Sequence, residues 1–174
     1  PLGGLGEIGL NMMVLDYEQD LLVIDAGLMF PEEDMPGIDV VIPDFQHLRN
    51  QSSRIRAVVL THGHEDHIGA MPFFLKEFHV PVYGTSFTIE LLKEKLKEHR
   101  LGSVDLHKVK PREVSEFGPF RVEYIRVNHS IADGVGLAVE TPEGILIHSG
   151  DFKMDQTPVD GAVTDLGRFA HYGE

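Results

Sequence analysis

The run Thr61-His62-Gly63-His64-Glu65-Asp66-His67-Ile68-Gly69-Ala70 packs three histidines and two acids into the six residues from His62 to His67. Imidazole nitrogens and carboxylate oxygens at that density suit a divalent cation such as zinc, manganese or iron. In an extended segment, side chains two apart point the same way, so His62 and His64 can share one ion. Asp66 and His67 fall in the following turn, where neighbours point apart, and can serve a second ion close by. The competing interpretation is an ordinary solvated polar turn, and the metal interpretation stands only if the chain supplies partners elsewhere.

The elements that must position these residues can be read from hydrophobic periodicity. The cluster follows the apolar run Ala57-Val58-Val59-Leu60, a buried strand, and precedes Met71 to Phe78, a helix. It therefore sits where a strand turns into a helix. Leu21 to Gly27 is a second strand, hairpin-linked through Tyr17 to Asp20 to a strand starting at Asn11. Asp25 ends it, either as a turn former or as a carboxylate that orients a ligand histidine. Phe120 to Val127 alternates Val122, Tyr124 and Val127 with Arg121, Glu123 and Arg126, and runs into His129. Gly134 to Glu140, the turn Thr141 to Gly144, and Ile145 to His148 form a hairpin that ends in Ser149-Gly150-Asp151, where the glycine permits a sharp turn. Separate strand ends thus deliver His62, His64, Asp66, His67, His129 and Asp151, as a layered sheet does when a metal site lies along its edge.

Elsewhere the signals are ordinary. Phe30 to Ile42 is an irregular loop, Asp44 to Asn50 a short helix, and Val80 to Gly84 a strand. Ser86 is expected to cap a helix with Ile89, Leu92 and Leu96 inward and Lys93, Glu94, Lys97 and Glu98 solvated, ending at Gly102. Val104 to Val109 and Glu113 to Phe117 follow as strands. His47, His79, His99 and His107 lack a second ligand at useful spacing, whereas His148 adjoins the Asp151 turn and is a candidate to support it. Gly4 to Gly9 spells G-x-G-x-x-G, but it leads into a strand and follows none, so a loop bringing backbone close to a cleft is expected instead of a dinucleotide site.

With 174 residues, 42% of them hydrophobic, the chain can build one domain with a sizeable core. It shows no membrane-length apolar run and no secretory leader, and opening on Pro1 points to a trimmed or processed chain. The absence of cysteine excludes disulfides and thiolate ligands and predicts a cytoplasmic location. A net charge of −13 argues against a generic nucleic-acid surface. Two divalent cations would reverse the sign locally in a cleft, and a basic partner domain could supply the rest.

The histidine cluster, a histidine after a later strand and an aspartate after the strand beyond it resemble the metallo-β-lactamase superfamily. The stretches Pro1 to Asn11, Thr61 to Ala70, His129 to Gly144 and His148 to Gly161 narrow the resemblance to the ribonuclease J family, in the β-CASP branch, and together they reach from Pro1 to Gly161. That resemblance implies an α/β fold, the αββα sandwich, of which residues 1–174 are the N-terminal portion, with the β-CASP domain and the C-terminal remainder outside this chain. It implies His62, His64 and His129 on one divalent ion, Asp66 and His67 on a second, and Asp151 bridging both. A further family histidine falls downstream of Glu174, and His171 is not expected to replace it.

By the same resemblance the ions are zinc, with manganese the alternative, and Asp66, His67 and Asp151 contribute to catalysis. The reaction implied is hydrolysis of RNA phosphodiesters by a two-metal-activated hydroxide, as 5′-3′ exonuclease, endonuclease or both, in ribosomal RNA maturation and messenger RNA decay. RNA is the expected partner, no membrane is involved, and the full-length form is expected to be a homo-oligomer. The alternatives are a superfamily hydrolase of a thioester or lactam, or a non-catalytic metal-binding module. The chain by itself is expected to bind at least one metal, to cleave RNA poorly, and to expose an apolar sheet face through which it would associate.

Overall fold

Two apolar runs, Leu21 to Ile24 and Ala57 to Leu60, are buried along their whole length, as strands at the centre of a sheet covered on both faces must be. The computed structural model describes residues 1–174. In chain order it contains β1 (Met13–Tyr17), β2 (Asp20–Ile24), α1 (Gln46–Arg49), a 3-10 turn (Ser52–Arg54), β3 (Ile55–Val59), α2 (Glu65–Ile68) and α3 (Met71–Glu77). There follow β4 (Val82–Thr85), α4 (Ser86–Glu98), β5 (Leu106–Val109), β6 (Val114–Phe117), β7 (Phe120–Arg126), β8 (Val135–Thr141), β9 (Gly144–His148) and α5 (Leu166–Tyr172).

The strands form two sheets. The first has order β1-β2-β3-β4-β5, with β1 antiparallel to β2 and the remaining pairs parallel. The second, β6-β7-β8-β9, is antiparallel throughout. Strand alternation divides the core in two. Leu21, Val23 and Val58 face the helices, packing with Phe45, Met71, Phe74, Leu92 and Leu96. Leu22, Ile24, Ala57 and Val59 face the second sheet, against Val122, Tyr124, Val135, Leu137 and Val139. The layers are helix, sheet, sheet, helix, and the outer helix is only α5, whose Phe169 ring lies against Gly136. No helix is long and apolar enough to cross a membrane.

Several boundaries move. The cap of α4 is Thr85, not Ser86, and its hydroxyl bonds Thr88 and the Asp133 carbonyl, while the Asp133 carboxylate accepts from the Phe87 amide. That helix ends at Glu98, where Arg100 adopts φ 55°, so the turn is made before Gly102. The expected exposed face between the sheets does not exist, because the chain supplies both sheets and buries that face itself. Apolar exposure falls instead on β9, through Ile145 and Ile147, and on Phe152 and Met154 beyond it. Glu123, which alternation directs away from the inter-sheet core, does point outward yet is 3% exposed. Arg168 of α5 clamps it with two 2.6 Å bonds, and the Tyr172 hydroxyl donates to it at 2.7 Å. Both partners hold the Glu123 carboxyl below its ordinary range, Arg168 the more, against the upward push of burial.

Candidate metal centre

Four strand ends meet at one rim of the sandwich. β2 delivers Asp25, β3 delivers Thr61 to His64 and the short α2 turn, β7 leads to His129, and β9 leads to Asp151. Gly150 makes the last turn at φ 58°, with its Cα so close to the Val135 carbonyl that a Cβ would come within 2.8 Å of it. The His148 ring accepts from the Gly150 amide at 3.1 Å, so this histidine braces the turn and presents no donor to the cluster.

Backbone bonds lock α2 against the loop after β2. The Ala26 amide donates to the His67 carbonyl at 2.8 Å, Leu28 to Glu65 at 3.0 Å, and Asn11 to Asp66 at 3.1 Å. Gly27 lies so close that an added Cβ would sit 1.6 Å from the Asp66 carbonyl oxygen. One helical turn of ligand residues is therefore held by main chain from two neighbouring segments.

Hydrogen bonds also decide which ring nitrogens are free. Asp25, 2% exposed and in the left-handed region at φ 58°, accepts from the Thr61 amide at 2.8 Å, the Thr61 hydroxyl at 2.7 Å and His67 Nδ1 at 2.8 Å. His67 thus carries its proton on Nδ1 and turns Nε2 outward. The Thr61 hydroxyl has spent its one proton on Asp25, so the 3.0 Å contact with His62 is donated by His62 Nδ1, leaving Nε2 free. His64 Nε2 lies 3.4 Å from the Ser130 hydroxyl, and Nδ1 faces His62. His62 Nε2 and His64 Nδ1 face each other at 3.1 Å, within hydrogen-bonding distance.

Two imidazole nitrogens facing at that distance can share a proton or flank a cation. Bonds of 2.0–2.1 Å to a tetrahedral zinc would set two nitrogens about 3.3–3.4 Å apart. His129 completes this group, all three donor atoms lying within 4.8 Å of one another, far inside the roughly 8 Å separation that would exclude a shared ion. His67, Asp151 and His62 make a second group within the same limit. Asp151 Oδ1 lies 3.6 Å from His67 Nε2 and Oδ2 lies 3.6 Å from His129 Nε2, too long for hydrogen bonds but suited to edges that share an ion. Asp66 Oδ2 is 3.7 Å from His67 Nε2. The nitrogen and oxygen donors present fit divalent metals.

The charge states of His62 and His129 agree with ligation, and that of His67 opposes it. Burial, reinforced by His67, pushes the His62 imidazole down to about 3, so it is neutral at physiological pH. Burial also lowers His129, against the pull of Asp151. For His67, burial works downward, but the charge and hydrogen bond of Asp25, aided by Asp66 and Asp151, raise it overall.

Asn11 was not anticipated from the sequence. Its side-chain amide lies 3.2 Å from Asp66 Oδ2 and 3.2 Å from His67 Nε2. The glycine-rich loop before it lines the same cleft through Gly3 and Gly4. His47 contacts Gln51, His99 packs edge-on against Phe73, His107 stacks on Tyr83, His79 is exposed and His171 lies on α5, all apart from the cluster.

A two-sheet sandwich with histidines and aspartates at its rim is the architecture of one class of hydrolase. The chain belongs to the metallo-beta-lactamase superfamily, whose family model matches residues 5–169, and membership implies divalent metal ions. Within that class it is similar to ribonuclease J. It is 50% identical to the protein of that name from Synechocystis sp., over 100% of this chain and 28% of the relative, and 48% identical to the one from Helicobacter pylori, over 100% and 26%. The chain therefore spans about a quarter of the length of these relatives. A metallo-β-lactamase from Cronobacter sakazakii shares the fold with TM-score 0.62 at 18% identity, covering 88% of this chain and 66% of that one.

Proposed function

We propose that this chain forms the metal-binding part of a ribonuclease that hydrolyses RNA phosphodiesters with two divalent ions. The observation that carries the proposal is the convergence of donor atoms of His62, His64 and His129 within 4.8 Å of one another, beside an Asp151 carboxylate whose two oxygens face different histidines. Identity of 48–50% to ribonuclease J supports RNA as substrate over a thioester or lactam. In this reading His62, His64 and His129 hold one ion, Asp66 and His67 the other, and Asp151 bridges. Zinc is the native ion we favour, since three imidazoles and no thiolate suit it, with manganese second.

Divalent ions in such a centre supply Lewis acidity and bring the pKa of water towards neutrality. The residues supply orientation. Asp25 holds His67 in the tautomer that offers Nε2, Thr61 does the same for His62, and Gly150 aims Asp151. No serine or cysteine nucleophile is required. A net charge of −13 leaves the rest of the surface poor in phosphate-binding groups, so grip on RNA would come from parts of a longer protein, as the relatives' greater length supports.

The test combines metal analysis with cleavage of labelled 5′-monophosphorylated RNA, with zinc or manganese supplied. Metal-dependent release of 5′-phosphate products, abolished by chelation and by His62→Ala, is expected. Metal binding with no cleavage, alone or when joined to the remainder of a ribonuclease J, would leave a binding module and sink the nuclease reading.

A further inference from the structure

Asp66 and His67 are consecutive residues in a four-residue turn, so chain geometry alone does not aim both at one point. His67 has Asp25 to fix its ring. Asp66, about one-third exposed, accepts one side-chain hydrogen bond, from Asn11 Nδ2 at 3.2 Å. Asn11 holds the same residue a second time through its backbone, donating to the Asp66 carbonyl at 3.1 Å, and its own carbonyl accepts from Gly27 at 3.0 Å. The amide is thereby anchored on both sides and its head lies between Asp66 Oδ2 and His67 Nε2.

We propose that Asn11 is a positioning residue for the second ion: its amide fixes the Asp66 carboxylate relative to His67 Nε2, so that the two act as one binding pair. This rests on the two-ion reading above. An amide suits the task because it donates to the carboxylate without bringing charge. The same amide nitrogen also lies 3.2 Å from His67 Nε2 and faces its lone pair. Occupancy of the site then trades one contact, to His67, and retains the other, to Asp66. The His62, His64 and His129 group has no contact with Asn11 and serves as an internal control.

Zinc titrated calorimetrically into metal-free protein provides the readout, with circular dichroism checking the fold of each variant. Wild type is expected to bind two equivalents. Asn11→Ala should leave one equivalent within threefold of wild type and weaken the other at least about tenfold, the usual effect of losing a group that orients a ligand. Asn11→Leu, which fills the space without hydrogen bonding, should do the same and decides the matter if the alanine variant does not fold. Because the effect runs through Asp66, adding Asn11→Ala to Asp66→Ala should weaken binding no further. Fewer than two equivalents in wild type would sink the two-ion reading and this proposal with it. Two equivalents in wild type with both retained in the variants, equal weakening of both, or additive losses in the double variant would each overturn the role of Asn11 alone.

Discussion

The two halves of the candidate metal cluster are built on different plans. His62, His64 and His129 come from two strand ends far apart in sequence, and outside the group they have only the Thr61 and Ser130 hydroxyls as polar supports. Asp66 and His67 come from one turn, which is braced by the Asp25 and Asn11 side chains and by three main-chain bonds, from residues 11, 26 and 28 to the carbonyls of residues 66, 67 and 65. Where strands converge, the sheets themselves aim the ligands. Where ligands are neighbours in a single short helix, surrounding groups must aim them, and the buried Asp25 is committed there.

Damage to that bracing should give the largest effects. Gly27→Ala places a methyl 1.6 Å from the Asp66 carbonyl oxygen, and backbone cannot give way without breaking the bonds that clamp α2. A loss above about 4 kcal/mol in denaturant unfolding is expected, in the range reserved for direct structural conflict. A variant within 1 kcal/mol of wild type would show that the clamp is loose. Asp25→Ala comes next. It strands three buried donors, the Thr61 amide, the Thr61 hydroxyl and His67 Nδ1, and should cost about 3 kcal/mol. It should also weaken the second ion by about 10–100-fold. Equal weakening of both ions, measured by calorimetry, would erase the distinction between the halves.

Ligand truncation separates the halves with less effect on folding, since Asp151 and His129 are partly exposed. Asp151→Ala should weaken both ions, because its two oxygens face His67 and His129 respectively, whereas His129→Ala should weaken mainly the ion of the His62 and His64 group. Metal stoichiometry on each variant decides it. Loss of a single equivalent in the aspartate variant would count against a bridge.

How far these features were legible follows from the range of the forces involved. The histidine run and the strand-end positions of His129 and Asp151 are local signals, and the structure brings those residues to one rim. Asp25 is legible as a strand-terminal acid, but its role is set by Thr61 and His67, which converge on it only in the fold. Asn11 gave no signal, because an asparagine at a strand start is unremarkable until a turn 55 residues later lands beside it. Glu123 illustrates the same limit: alternation gave its direction, but only the return of α5 over the sheet buries it against Arg168. The one-residue slip from Ser86 to Thr85 reflects two adjacent hydroxyl residues that are equivalent as sequence signals.

The smallest effect is one that needs no mutation. Metal must displace a proton from any ligand that binds one, so each half should release its ion as its own ligands protonate. His62 is pushed down to about 3 by burial and His129 is also lowered, so protons compete weakly there. His67 is subject to the same burial, but Asp25 and the neighbouring carboxylates raise it above its ordinary 6.5. On acidification the second half should therefore lose its ion first, while the first half keeps its own. Folding linkage runs the opposite way in metal-free protein: a raised histidine contributes stability that is fully present below pH 6.5 and is lost as pH rises through its folded value. The metal-free pair is thus most stabilising where it binds metal worst, which makes neutral to mildly alkaline pH the favourable window for loading. Stepwise acid titration of the loaded protein, with released zinc read by an indicator, should show two separated steps. In Asp25→Ala, burial acts on His67 without its partner, so the first step should move to lower pH and the gap should narrow. A single step in wild type, or an unchanged gap in the variant, would mean that Asp25 does not set the difference between the halves.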